Sequence, residues 1–271
     1  MTKKIRARRS ALYMPASNAR ALEKARTLGA DALIFDLEDA VAPEAKAQAR
    51  ARARAAVAAG GYGKREVVIR VNSLASAWGE EDFTAAATSG ADAVCVPKVQ
   101  SAGDMAAIRC ALENAGAPGA LAIWAMIETP LGILNAGEIA AARANNFPLH
   151  ALVMGTNDLA KETRAAQTPD RAPMLAWLSG CVVAARAHGL DILDGVYNNF
   201  RDEERLRREC RQGRELGMDG KTLIHPGQIA PCNEIFSPGG DEIAWARKII
   251  AAFESEENAG RGVIPLDGRM V

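Results

Sequence analysis

Residues 121–130 read LAIWAMIETP, an apolar run that ends in one carboxylate, Glu128, and passes directly into a helix-like segment. Residues 122–127 show no clean alternation of apolar and polar side chains. That pattern is expected of a strand buried on both faces, as in a parallel sheet covered by helices. Glu128 then falls where the strand should end. A single acid there also fits a plain helix-start residue, favoured by the positive end of the helix dipole. The choice between the two depends on how the other strands end.

Working outward, further strands are expected at residues 10–15, 31–37, 66–71, 92–96, 149–154, 191–196 and 221–224. Helices are expected between them at 18–28, 43–59, 80–89, after Ser101, and at 131–144, 173–188 and 202–216, with a polar loop running to residue 170. Ser17 or Asn18 caps the first of these, Gly29 ends it, and Pro43 opens the second where its missing N–H costs little. Eight strand-then-helix units in 271 residues predict a single TIM-type (β/α)8 barrel over residues 1–236. A C-terminal helix at 241–254 and a short tail make up residues 237–271. An open doubly wound sheet is disfavoured, because no GxGxxG or GxxxxGK[ST] loop follows the first strand.

Composition narrows the function. Hydrophobic residues make up 49% of the chain, and Lys+Arg balance Asp+Glu at 33 each. That balance offers no electrostatic basis for binding nucleic acid or an anionic membrane. No apolar run is long enough to span a bilayer, and the basic opening MTKKIRARRS is not followed by a signal-type apolar stretch. Cys95, Cys110, Cys181, Cys210 and Cys232 are scattered without a CxxC spacing, which reads as reduced thiols and a cytoplasmic location.

In a barrel of this type, chemistry collects at the C-terminal ends of the strands. The polar residues expected there are Glu38, Asp39, Arg70, Asn72, Lys98, Glu128, Asn157, Asp158, Lys221 and His225, with Asp36 and Asp194 inside strands. Glu128 and Asp158 end neighbouring strands, and two carboxylates plus water are a set that Mg2+ accepts. Arg70 offers a planar donor fork to a substrate carboxylate or thioester oxygen. A structural ion pair with Glu38 or Asp39 explains Arg70 equally well from position alone. The histidines have no zinc-like spacing. His225, on the rim, suits a backbone-orienting hydrogen bond.

These residues carry a resemblance. The stretches RSALYMPA (9–16), ADALIFDLEDAVAPEAKAQAR (30–50), VIRVNS (68–73), VPKV (96–99), MIETPLGILNAGEIA (126–140), GTNDLA (155–160), DGVY (194–197), GKTLIHPGQI (220–229) and DGRMV (267–271) run in order through nearly the whole chain. Together they resemble the citrate lyase β-subunit-like branch of the HpcH/HpaI aldolase superfamily, with the related malyl-CoA and citramalyl-CoA lyases. The resemblance implies a Mg2+-dependent barrel with Glu128 and Asp158 as metal ligands. Arg70, Glu128 and Lys98 would contact substrate, with Arg70, Glu38 and Asp39 in catalytic roles. It further implies an acyl-CoA or 2-oxo acid substrate and a homo-oligomer, a trimer being favoured.

The implied reaction cleaves a 3-hydroxyacyl-CoA, such as citramalyl-CoA or malyl-CoA, between its α and β carbons, giving acetyl-CoA and a 2-oxo acid, or runs in reverse. Two other functions compete. One is a carrier-dependent citrate lyase β-type subunit. The other is a pyruvate-type class II aldolase, whose branch uses a histidine base near strand two where this chain has Glu38 and Asp39. Lid-bearing CoA lyases also place an acidic residue just after the motif seen here at 267–271, acting on a neighbouring subunit's site. A form without that acid is expected to need another base.

Overall fold

The computed structural model of the chain describes residues 6–144, 147–258 and 260–271; residues 1–5 of the basic opening stretch lie outside the described residues. The expected (β/α)8 barrel is present. Strands β1 (Ser10–Pro15), β2 (Ala32–Asp36), β3 (Glu66–Arg70), β4 (Ala93–Val96), β5 (Ala122–Ile127), β6 (Leu149–Met154), β7 (Asp191–Asp194) and β8 (Gly220–Leu223) form a closed barrel in sequence order. All pairs are parallel, and β8 closes on β1. Around them lie α1 (Ala19–Ala25), α2 (Lys46–Ala59), α3 (Gly79–Ala87), α4 (Ala102–Asn114), α5 (Pro130–Leu134), α6 (Ala136–Ala141), α7 (Thr156–Thr163), α8 (Leu175–Ala187), α9 (Glu203–Glu215) and α10 (Ile229–Phe236).

Strand β5 shows why the opening stretch lacks alternation. All six of its residues are buried. Ala122, Trp124 and Met126 face the lumen, while Ile123, Ala125 and Ile127 join the core under the helices. Both faces are apolar, so polarity does not alternate. Trp124 is accommodated because its register partners on the adjacent strands, Cys95 and Ala151, are small. Below it, Arg8 places its guanidinium 5.3 Å from the Trp124 ring centre and donates to Glu66 at 2.7 and 2.8 Å and to Asp191. This buried ion cluster plugs the N-terminal end of the barrel.

Several expected elements are redrawn. The single helix expected at 131–144 is two short ones, α5 and α6, broken at Asn135, which leaves helical geometry (φ −101°, ψ 11°) and donates to the Gln100 carbonyl. The polar loop expected to residue 170 begins instead with α7, and α10 was not anticipated because Pro231 lies inside it. The chain divides into two compact units, Met1–Phe236 and Ser237–Val271. Within the second, α11 (Gly240–Glu254) is followed by a small hairpin of β9 (Pro265–Leu266) and β10 (Arg269–Met270), and Lys248 pairs with Asp267. No helix among the described residues is long and apolar enough to cross a membrane.

Candidate active site

At the C-terminal mouth of the barrel lies a cavity of about 290 Å³. Tyr13, Asp36, Asp39, Arg70, Met126, Glu128, Asp158, Asn198 and Thr222 are among the residues lining it. Glu128 and Asp158 are therefore brought to one space. Thr129 is the N-cap of α5, its hydroxyl accepting from Gly132 N at 3.1 Å, with Pro130 at the first helical position. Glu128 is thus relieved of capping. It turns into the mouth instead, where its Oε1 accepts from the Lys98 backbone N–H at 2.9 Å. Asp158 lies in the first turn of α7, a little beyond the end of β6 where it was expected.

Arg70 makes the ion pairs expected of it with the acids of the β2 turn. It lines the cavity, and its fork is also locked. Nε and Nη2 donate to the two Asp36 oxygens at 2.7 and 2.6 Å, and Nη1 lies 2.9 Å from Glu38 and 3.2 Å from Asp39. Its guanidinium stacks 4.6 Å from the Tyr13 ring centre. Asp36 and Arg70 are register partners on adjacent strands, which is why they meet. Asp36 also accepts from the Glu38 and Ala40 backbone N–H groups, so one carboxylate orders both the arginine and the turn carrying Glu38 and Asp39.

Lys98 follows β4 in the left-handed region, φ 54°. Its Nζ reaches Glu38 Oε1 at 3.0 Å and Asp158 Oδ2 at 3.5 Å. Burial alone would lower this ammonium's pKa, but Glu38, by hydrogen bond and charge, outweighs it and raises the pKa. Burial pushes Glu38 up as well, against the pull of Arg70. Burial, with Glu38 and Asp158 adding repulsion, raises Glu128 to about 8.

Other rim candidates do different work. Asn72 is buried, bound to Lys46, Asp82 and the Leu37 carbonyl. His225 accepts from Gly227 N at 3.1 Å and stacks on Phe200, the backbone-orienting use expected of it. Lys221 corrects a wrong expectation: it is not on the rim. It is fully buried, bound to Asp194 at 3.0 Å and Glu209 at 3.2 Å on α9, because its side chain leaves the strand on the helix side while Thr222 faces the cavity. Sequence reasoning missed Tyr13, Thr222 and Asn198. The first two are detectable by counting alternate positions along the strands; Asn198, in a loop, gives no such signal. Its amide exchanges hydrogen bonds with Asn157 at 2.9 and 3.2 Å, tying two mouth loops together.

The fold and the mouth together define a (β/α)8-barrel enzyme with an acidic, arginine-braced site. Residues 9–226 match the family described as HpcH/HpaI aldolase/citrate lyase. The chain is 51% identical to (3S)-malyl-CoA thioesterase of Cereibacter sphaeroides (strain KD131 / KCTC 12085) over 97% of this chain and 89% of that one. It is 36% identical to citrate lyase subunit beta of Escherichia coli (strain K12), over 99% and 90%. Among solved structures, CitE from Mycobacterium tuberculosis in complex with magnesium, acetoacetate and coenzyme A superposes with a TM-score of 0.76 at 31% identity, covering 98% of this chain and 92% of that one. The chain belongs to the HpcH/HpaI aldolase/citrate lyase family.

Proposed function

We propose that this protein is a Mg2+-dependent lyase that cleaves, or forms, the α–β carbon bond of a 3-hydroxyacyl-CoA of the malyl-CoA or citramalyl-CoA class. The observation that carries this is the meeting of Glu128 and Asp158 on one cavity beside the Arg70 fork. The donor set fits the metal. Asp36, Glu38, Asp39, Glu128 and Asp158 are set against the cations of Arg70, Lys98 and, behind the mouth, Lys46, so negative charge is in excess. Among the described residues no group of three or more His, Cys, Asp or Glu is gathered around a point. Two carboxylates suit Mg2+, which keeps much of its water. Glu128 and Asp158 would hold it, and it would supply Lewis-acid polarisation of the oxygen that becomes the 2-oxo group.

The remaining steps fall to the chain's own side chains. When the carbon bond breaks, its electron pair passes to the thioester as an enolate, which needs fixed donors. Arg70 Nη2, which gives one N–H to Asp36 and is held in place by that pair and by the Tyr13 ring, is oriented to give its other N–H to the enolate. The hydroxyl proton goes to a base at the mouth. Asp39, lining the cavity with its side chain 65% exposed, is placed to take it and, once the carbon bond has broken, to return it to the enolate carbon to give acetyl-CoA, while Glu38 is held for positioning. Arg70→Lys keeps the charge but loses the fork. Its turnover is expected to fall on the order of 100-fold, the scale of one lost oxyanion donor. Unchanged kinetics in the folded fraction, with only stability lowered, would reduce Arg70 to a structural ion pair.

Gly155 tests the placement of Glu128. A Cβ at this position would lie 2.3 Å from Glu128 Cβ and 2.5 Å from its Oε2. Gly155→Ala is therefore expected to push the carboxylate aside and weaken Mg2+ binding roughly 10- to 100-fold, as loss of a ligand's support does. Calorimetric titration checks this, and wild-type affinity would show that Glu128 is not a ligand.

Thioester hydrolysis is the second reading, favoured by the relative named (3S)-malyl-CoA thioesterase. Incubation with (3S)-malyl-CoA and Mg2+ separates the two. Carbon–carbon cleavage gives acetyl-CoA and glyoxylate without free thiol; hydrolysis gives malate and free CoA thiol. Activity that needs an added acyl-carrier partner would instead indicate a citrate lyase β-type subunit, and activity on a CoA-free hydroxy-oxo acid a class II aldolase. If no 3-hydroxyacyl thioester yields a 2-oxo acid with or without a carrier, the lyase reading fails.

A further inference from the structure

Lys98 touches both proposed metal ligands, Glu128 and Asp158, and Glu38 beside them. Its backbone N–H holds Glu128 Oε1 at 2.9 Å, and its Nζ bridges Glu38 at 3.0 Å and Asp158 at 3.5 Å. The backbone takes a left-handed turn, φ 54°, at this residue. A non-glycine residue there is uncommon and persists where its surroundings over-determine it, often at functional positions. The turn lets the main chain serve one carboxylate while the side chain crosses the mouth to two others.

We infer that Lys98 is an internal counter-ion of the metal site: its ammonium occupies the carboxylate cluster when no divalent cation is bound, and it yields when one arrives. The inference rests on Glu128 and Asp158 being the metal pair. An ammonium and a dication that share Asp158 repel each other, so each Mg2+ bound must first loosen the Lys98–Asp158 contact. Lys98 therefore stabilises the metal-free carboxylates at the cost of metal affinity. A residue that merely supported the ligands would have the opposite effect on removal.

The test is calorimetric titration of wild type and Lys98→Met with MgCl2, with thermal melts of both in the absence and presence of the metal. Methionine keeps the aliphatic stem and the N–H to Glu128 while removing the charge. A nearby charge typically shifts the binding of a proton by one to three powers of ten. Because Lys98 is partly exposed, the lower end applies, and Lys98→Met is expected to bind Mg2+ about tenfold more tightly. The metal-free variant should melt below wild type and gain more from Mg2+. Equal or weaker Mg2+ binding by the variant, with wild type binding normally, overturns the inference and leaves the metal pair standing. Wild type that takes up no Mg2+ removes both. If Lys98→Met does not fold, Lys98→Gln, neutral but able to hydrogen-bond, is titrated against the same criteria.

Discussion

Glu128→Gln and Asp158→Asn should each lower turnover of a malyl-CoA-type substrate by at least about 100-fold, since even a residue supporting a metal ligand can account for that much. Each should also weaken Mg2+ binding measured by calorimetry. Both side chains line the mouth cavity rather than the apolar layers, so the barrel should survive. The Gln variant keeps an oxygen to accept the Lys98 N–H but loses the charge. The two effects must move together. If both variants bind Mg2+ as wild type does, the metal lies elsewhere and the proposed chemistry loses its foundation.

The largest stability effect is expected at Asp194→Ala, away from the cavity. Asp194 is fully buried, accepts from Arg171 at 2.8 Å on both oxygens, and holds Lys221 at 3.0 Å. Removing it takes the buried carboxylate away from Arg171 and leaves Lys221 with Glu209 alone. Breaking a buried pair in this way costs about 3–5 kcal/mol, or roughly 6–20 °C in melting temperature for a domain of this size. Burial pushes the Asp194 carboxyl up, but Lys221 and Arg171 outweigh it and hold its pKa below the ordinary value. Its contribution is therefore complete above the unfolded value near pH 4, and it is lost as pH falls through the lower folded value. Denaturant curves of wild type and variant should stand well apart at pH 7 and draw together in acid. A gap under about 1 kcal/mol at pH 7, an ordinary exposed-pair value, would contradict the burial argument.

How far the sequence could be read depended on the kind of information each position carried. Barrel strands were legible because two buried faces leave long apolar runs bounded by polar ends, as in residues 121–128. Glu128 was found because its run stops so abruptly. Its freedom from capping was not visible, since Thr129 takes that task only once α5 has formed. Helix α7 was missed because TNDLAKET carries only Leu159 and Ala160 as buried apolar side chains. Lys221 was misplaced by one position of a period-two pattern, enough to move it from the mouth to the helix layer. The pairing of Asp36 with Arg70 depends on register between two strands, which neither strand states alone.

The plug of Arg8, Glu66 and Asp191 beneath Trp124 also bears on kinetics. A vessel stoppered at one end fills and drains by the same door. If the protein cleaves its substrate as proposed, the fragment nearer the floor would stay until the one at the door has gone. Release would then be sequential rather than random. Product-inhibition patterns would show it, with one fragment competing with the substrate for the free enzyme and the other acting on a later form.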